Sequence, residues 1–350
     1  MFVDGRRALA AALPLAAVLM ASAPDARAFC RTTTCPLPPD FTPSPAGCYP
    51  PDFAHYCASL STPAKALPIW WRNACVSYDL SGNGTRQIAY ATVAQVVSAA
   101  FAKWTGTTCA SGGHAEARTG RVSIDVRDLG PVDCNQVQYN SDQGNQHIIA
   151  FRDDVWPHND ANNTLGLTTV TYDPATGEIY DADMEINATV SLSTADSVPP
   201  GAYDFESIIT HETGHFLGMA HSGDDRATMF AHYTPGSSTM RVLTDDDVQG
   251  ICTVYPPGGV RSVDTSVPGA GQGGLLAEST CDPTPRHGFS KECKNPPSKA
   301  CAVAAGAPAP LPRSEGCTTA TLGTAGIAAF FLARRRQRKS GRAGPPSSLK

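Results

Sequence analysis

Hydrophobic positions between residues 69 and 256 recur with the periods of both strands and helices. Three short runs are rich in β-branched and aromatic residues, which is typical of strands. Apolar residues over 92–104 recur every three or four positions, which predicts an amphipathic helix between the first two runs. A second helix is predicted from residue 204 onwards. Strands with inserted helices favour a mixed α/β domain. The predicted strands cover residues 74–80, 122–126 and 147–151.

A β-hairpin is predicted over residues 167–186, with its turn at 173–177. In the second arm, two sets of four residues alternate, so they point to opposite faces. The first set is Tyr180, Ala182, Met184 and Ile186. The second set is Asp181, Asp183, Glu185 and Asn187. The three carboxylates of the second set could hold calcium, because hard cations take several carboxylate oxygens; a solvated strand face explains the pattern equally well.

The first 28 residues have the composition of a secretory signal peptide. Arg6 and Arg7 precede an apolar stretch that is too short to span a bilayer comfortably. The segment ends in Ala26-Arg27-Ala28, which fits the small-residue cleavage pattern. We therefore expect residues 1–28 to be removed and the rest of the chain to be exported.

Residues 317–350 form a second targeting segment. Gly316-Cys317 is followed by an apolar run and then by a basic cluster at 334–339. This order resembles the MYXO-CTERM type of bacterial sorting signal, which implies processing near Cys317 and anchoring at, or release from, the cell surface. A plain membrane anchor is the alternative, with the basic cluster on the cytoplasmic side.

Two Pro-rich stretches flank the globular pattern. Residues 29–68 contain four cysteines and no helical periodicity, which indicates a disulfide-stapled leader. This leader could be a propeptide that covers an active site through a cysteine thiolate, although paired disulfides explain the cysteines more simply. Residues 257–316 have few apolar anchors, which predicts a linker or stalk. The main domain is accordingly expected over residues 69–256.

Composition and charge exclude one large class of function. The chain of 350 residues contains 12 cysteines, a number typical of proteins from oxidising compartments. Its formal net charge is -5, but residues 29–316 alone carry 17 Lys and Arg against 30 Asp and Glu. Because phosphate binding needs clustered basic side chains, this acidic body excludes nucleic acid as the main partner.

The candidate chemistry is concentrated in His211-Glu212-Thr213-Gly214-His215-Phe216-Leu217-Gly218-Met219-Ala220-His221. Two histidines four residues apart lie on one face of a helix, so both imidazoles can bind one metal ion. A continuous helix would point His221 about 240° away from His215. Gly218 resolves this, because glycine permits a turn that ends the helix and returns His221 as a third ligand. Catalytic zinc sites have three protein ligands and a water.

Glu212 follows the first predicted ligand and is expected near the metal-bound water. Zinc lowers the pKa of that water towards ~7, and a nearby carboxylate can take its proton and pass it to a leaving amine. Glu212 is therefore the predicted general base. Ordinary core or surface histidines are the alternative, but this set of residues at fixed offsets arises by chance in roughly one of 10⁵ such chains.

The motif H-E-x-x-H-x-x-G-x-x-H resembles that of the metzincin zinc endopeptidases. Ser222 after the third histidine is similar to the matrixin branch, and Met229 matches the methionine of the family's Met-turn. Residues 243–255 resemble the last matrixin helix, with Thr244 as its N-cap. The resemblance implies a twisted, mixed five-stranded sheet, an active-site helix and a small lower subdomain after Gly218. Substrate would lie extended and antiparallel along the edge strand.

Other features depart from the matrixin pattern. The cysteine-switch motif P-R-C-G-x-P-D does not precede the domain, so latency by that route is not expected. Ala231-His232-Tyr233 keeps the tyrosine but loses the proline of the usual wall segment, so substrate preference cannot be transferred. Tyr180 and Thr168 fall where two ligands of a second, structural zinc are expected, and we therefore predict that this zinc is missing.

The leading hypothesis is a secreted or surface-anchored zinc endopeptidase that acts on extended polypeptides. His211, His215 and His221 would hold one zinc ion. Glu212 would act as general base, and Met229 would support the site. We expect a monomer that contacts membranes only through its C-terminal segment. The competing hypothesis is a non-enzymatic surface module with a vestigial zinc site.

Overall fold

The computed structural model describes residues 29–61, 63–110, 119–258 and 282–293, and the backbone of a strand at 328–330. The predicted signal peptide and nearly all of the predicted sorting segment lie outside these residues. No helix in the described part of the chain is both long and apolar enough to cross a bilayer. The helices are α1 (Phe53–Ser59), α2 (Tyr90–Thr105), α3 (Phe205–Phe216) and α4 (Asp245–Val254), with a 3₁₀ turn at Thr239–Arg241. The strands are β1 (Cys30–Arg31), β2 (Cys75–Ser81), β3 (Thr108–Cys109), β4 (Gly120–Arg121), β5 (Asp125–Val132), β6 (Ile148–Arg152), β7 (Thr164–Tyr172), β8 (Ile179–Asn187), β9 (Leu192–Ser193), β10 (Tyr203–Asp204), β11 (Met219–Ala220) and β12 (Ala328–Phe330).

Five strands of the domain form one mixed sheet in the spatial order β7-β8-β6-β2-β5. The last four of these strands are parallel to one another. β7 runs antiparallel to β8, with Gly166 opposite Ile186. On its other side, β7 pairs antiparallel with the short strand β12. The predicted mixed fold with five sheet strands is therefore confirmed.

The main hydrophobic core lies between the sheet and helices α2 and α3. The apolar stripe predicted on α2 faces this core, and Val93, Val97 and Trp104 are fully buried. The Trp104 indole N–H donates to the carbonyl of Thr210 at 2.9 Å. Burial of apolar surface stabilises this packing by about 25 cal/mol per Å². The buried stripe of α2 and the hydrogen bond from Trp104 together hold α3 in position.

The second arm of the hairpin contains a bulge that alternation did not predict. The register between β7 and β8 shifts near the turn, so Ile179 rather than Tyr180 enters the core. Tyr180 lies on the opposite face, stacked on Tyr139 and beneath the guanidinium of Arg286. The prediction that Tyr180 shares a face with Ala182 was wrong, because one extra residue reverses the alternation.

The acidic face of β8 is buried. Asp181, Asp183 and Glu185 are each at most 3% exposed. The loop at 133–147 covers this face, and the backbone N–H of Gln138 donates to Asp183 at 2.9 Å. The interpretation of this face as a solvated strand surface was therefore wrong.

Residues 282–293 lie in the stretch predicted as a linker, yet they pack on the domain. Cys293 forms a disulfide with Cys134, and Phe289 forms a β-bridge with Asn145. Composition could not indicate this, because the contacts join segments more than 140 residues apart in sequence. The other described disulfides are Cys30–Cys48, Cys35–Cys57 and Cys109–Cys252, and Cys75 is disulfide-bonded as well.

Candidate metal centre

Helix α3 carries the two histidines of the H-E-x-x-H pattern and is anchored at both ends. Asp204 caps its start by accepting hydrogen bonds from the backbone N–H and the hydroxyl of Ser207, at 2.9 and 2.7 Å. At the other end, Trp71 and Tyr255 donate to carbonyls of the last helical turn and its cap. These carbonyls have no partner within the helix, so the contacts satisfy a buried helix end.

The helix ends where the sequence predicts. Its last residue is Phe216, and Gly218 has a φ of +88°, in the left-handed region that favours glycine. A Cβ at this position would also lie 3.0 Å from the carbonyl oxygen of Ile69. The turn predicted at Gly218 is confirmed, and it returns His221 to the imidazoles of α3.

Three imidazoles converge beyond this turn. The ring centroids of His211, His215 and His221 lie 4.7 to 5.3 Å apart. One ligand nitrogen from each lies within 4.8 Å of the other two. His211 and His215 direct Nδ1 at the carbonyls of Thr228 and Met219, at 2.7 and 2.9 Å. These contacts favour a proton on Nδ1 and leave the lone pair of Nε2 for a metal.

Burial keeps the three imidazoles neutral, which is the form that binds metals. It lowers the pKa of His211 to about 4. Burial is the main cause, and repulsion from neighbouring imidazoles the second, of a pKa well below the usual value for both His215 and His221. The Nε2 atoms of His215 and His221 are buried without a hydrogen-bond partner, as expected for atoms reserved for a metal. Three imidazole donors fit a catalytic zinc ion.

Glu212 is buried beside the triad, against strand β7. The Thr168 hydroxyl donates to Glu212 Oε2 at 2.7 Å. A Cβ at Gly166 would lie 2.5 Å from Glu212 Oε1, so any larger residue there would displace the carboxylate. Burial raises the pKa of Glu212 to about 8, and the hydrogen bond from Thr168 opposes this shift. Only the ionised carboxylate can act as a general base, and both the hydrogen bond from Thr168 and the positive charge of a metal ion at the triad would favour that form.

Met229 lies against α3 at Gly214, where its sulfur leaves no room for a Cβ. Asp247 holds this turn, because its carboxylate accepts the backbone N–H groups of Thr228 and Met229 at 2.8 and 3.0 Å. The same carboxylate accepts the backbone N–H of Thr244, the predicted N-cap, at 2.8 Å. Asp247 thereby connects the start of α4 to Thr228. The carbonyl of Thr228 in turn contacts His211, a predicted metal ligand.

The carboxylates considered as calcium ligands have protein partners. Glu185 contacts Arg152 and His158, each at 2.6 Å. Asp183 accepts two backbone N–H groups, and Asp181 lies 3.8 Å from a ring nitrogen of His147. Among the residues that the structure describes, the histidine triad is the one group of His, Cys, Asp or Glu that could hold an ion.

Two residues at the site were not predicted as parts of it. Thr168 was considered only for a second zinc, since nothing in the sequence reveals which face of β7 meets α3. Asp247 was predicted only as part of the last helical segment, residues 243–255. The Thr-x-x-Asp pattern at 244–247 does predict a reciprocal cap, but the contact from Asp247 to Thr228 depends on tertiary packing.

Comparison with known proteins agrees with this geometry. The sequence profile described as matrixin, in the M10 group of peptidases, matches residues 70–256. Interstitial collagenase from Bos taurus is 27% identical over 215 residues, which cover 60% of this chain and 36% of that protein. Matrilysin from Homo sapiens is 26% identical over 212 residues, or 59% of this chain and 64% of that protein. Metalloendoproteinase 2-MMP from Arabidopsis thaliana is 35% identical over 95 residues, or 27% of this chain and 25% of that protein. The chain thus spans less than two thirds of each of these relatives.

Proposed function

Because the chain belongs to the matrixin family, we propose that it is a secreted, zinc-dependent endopeptidase that cleaves extended polypeptides. The observation that carries this proposal is the convergence of three imidazoles beside a buried carboxylate. His211, His215 and His221 would hold the ion through Nε2. Bound zinc would supply a water whose pKa is lowered to about 7 and a Lewis acid for the scissile carbonyl.

Glu212 performs the proton transfers of this reaction. Its carboxylate takes a proton from the attacking water as the new C–O bond forms. The same proton then passes to the leaving amine as the peptide C–N bond breaks. Thr168 holds the carboxylate in place during both transfers, and Met229 supports the floor of the site.

The proposed position of the substrate is along the outer edge of β7. This strand contacts Glu212 and therefore leads past the catalytic centre. Its outer edge pairs antiparallel with Ala328–Phe330, which supports the idea that the edge accepts an extended peptide by strand addition. A substrate in this position would compete with residues 328–330 for the same backbone partners.

The described disulfides support a location outside the reducing cytosol. Removal of residues 1–28 and processing near Cys317 complete the proposed route to the bacterial surface or medium. The protein isolated from its host should then begin at Phe29, and N-terminal sequencing tests this. An N-terminus that retains residues 1–28 would contradict the signal-peptide assignment.

Dependence on zinc tests the proposed activity. Unfolded casein should be cut by the purified protein, should remain intact after a chelator removes the metal, and should be cut again when zinc is restored. One bound zinc ion without cleavage would favour the competing hypothesis, a non-enzymatic module with a vestigial site. Cleavage that persists without metal would exclude the proposed mechanism.

A further inference from the structure

The leader, residues 29–68, docks on the turn that connects two of the candidate metal ligands. β1 pairs antiparallel with β11, with Cys30 opposite Ala220. The backbone N–H of Thr32 donates to the Gly218 carbonyl at 3.0 Å. On its other side, the Thr32 carbonyl accepts the N–H of Ile69 at 2.9 Å. The leader is therefore a middle strand between the Gly218 turn and the start of the main domain.

One carbonyl connects the leader to a metal ligand. The Met219 oxygen accepts a hydrogen bond from His215 Nδ1 at 2.9 Å and another from the Thr32 hydroxyl at 3.0 Å. Thr32 thus holds in place the acceptor that orients the His215 ring. His221 follows the same short strand, so its position also depends on β11.

The leader contacts have the character of a folded core. Thr32 and Thr34 are 8% and 0% exposed although both are polar. The backbone of Ser44 lies so close to Gly223 that no Cβ fits there. Release of the leader would strip β11 of its backbone partners, and unpaired buried backbone groups are costly.

The leader offers no thiolate to a metal. Its four cysteines form two bridges with one another, Cys30–Cys48 and Cys35–Cys57. Inhibition through one of these cysteines would therefore require a broken disulfide.

We propose that residues 29–68 are a permanent part of the catalytic unit and position His215 and His221, instead of acting as an inhibitory propeptide. The proposal rests on the proposed function, because it assumes that these histidines bind zinc. Thr32 is the positioning residue at the centre of this contact. Partners that orient a zinc ligand directly typically contribute 10–100-fold in metal affinity, so a residue one contact further away should contribute about three- to tenfold.

Thr32→Val tests this in the full-length protein, because it removes the hydroxyl and keeps the shape of the side chain. Thr33→Val is the matched control: Thr33 is 6% exposed, and its hydroxyl donates to Cys35 within the leader. Zinc affinity is measured by competition with a chromophoric chelator, and casein cleavage is measured alongside. Thr32→Val should bind zinc about three- to tenfold more weakly than Thr33→Val. Thr32→Ser, which keeps the hydroxyl, should restore the affinity.

Three results would count against the role proposed for Thr32. Equal zinc affinity in the Thr32→Val and Thr33→Val proteins would overturn the proposal, and so would faster cleavage by Thr32→Val at unchanged affinity. Weaker zinc binding that Thr32→Ser does not restore would also count against it, because a general packing defect would then explain the loss. Absence of zinc binding in the unsubstituted protein would instead contradict the proposed function.

Discussion

At the scale of single residues, the orientation of one glutamate decides whether the site can work. Glu212 lies between the Thr168 hydroxyl and the backbone of Gly166, so its carboxylate has little freedom. A general base must hold its oxygen within hydrogen-bond reach of the proton that it removes. Thr168 is therefore expected to act on the chemical step and to leave substrate binding unchanged.

Thr168→Val should lower kcat about tenfold with little change in KM, since loss of one hydrogen bond to a charged group corresponds to roughly 1.5 kcal/mol. Thr168→Ser should recover most of the activity. Thr169→Val is the control, because Thr169 is the adjacent residue of β7 and is 4% exposed. Steady-state kinetics on a fluorogenic peptide measure the effect. Equal loss in the Thr168 and Thr169 variants would show that the strand, and not the hydroxyl, is responsible.

At the scale of elements, β8 is held to its neighbours by a buried acid. Glu185 contacts Arg152 of β6 and His158 of the following loop, each at 2.6 Å. Burial opposes ionisation of this carboxyl, but hydrogen bonds and charges from His158 and Arg152 outweigh it and lower the pKa of Glu185. A lowered pKa means that the contact stabilises the fold above about pH 4.5 and that this contribution is lost as the pH falls further.

Glu185→Gln should lower the free energy of unfolding by about 2 kcal/mol at pH 7, the usual size of a hydrogen bond to a charged group. Urea unfolding at pH 7 and pH 4 measures this. The difference in free energy of unfolding between the variant and the unsubstituted protein should be smaller at pH 4. Glu178→Gln is the control, because the Glu178 contacts with Arg72 and Arg286 are longer, at 3.9 and 3.5 Å. A difference that grows towards pH 4 would refute the assigned role of Glu185.

Much of this element structure could be predicted from local patterns. The helical periodicity before Trp104 and the glycine turn at 218 depend on neighbours in sequence, and both predictions hold. The face occupied by Tyr180 depends on a bulge, which is set by pairing between two strands. The three candidate metal ligands could be found because their spacing encodes their geometry, whereas Thr168 comes from another element and left no such pattern.

At the scale of the whole molecule, disulfides join segments that are far apart in sequence. Cys109 of β3 is linked to Cys252 of α4 across 143 residues. The Cys30–Cys48 bridge of the leader spans 18 residues. A cross-link stabilises by restricting the unfolded chain, and the effect grows slowly with the length of the closed loop.

Replacing both Cys109 and Cys252 by Ala should lower the free energy of unfolding by up to about 5 kcal/mol, against up to about 3 kcal/mol for the Cys30–Cys48 pair. Denaturant titration of the two double variants compares them under identical conditions. A larger loss for the short leader loop would mean that native contacts of the leader, and not loop closure, dominate its stability.

In the proposed reaction, Glu212 is the base for peptide-bond hydrolysis at a three-histidine zinc site. The most direct test compares the unsubstituted protein with Glu212→Gln, after both have been shown to hold one zinc ion per chain. Unfolded casein should be cut by the first and should survive with the second, because the amide cannot take the proton. Equal cleavage by both proteins at equal zinc content would contradict the account.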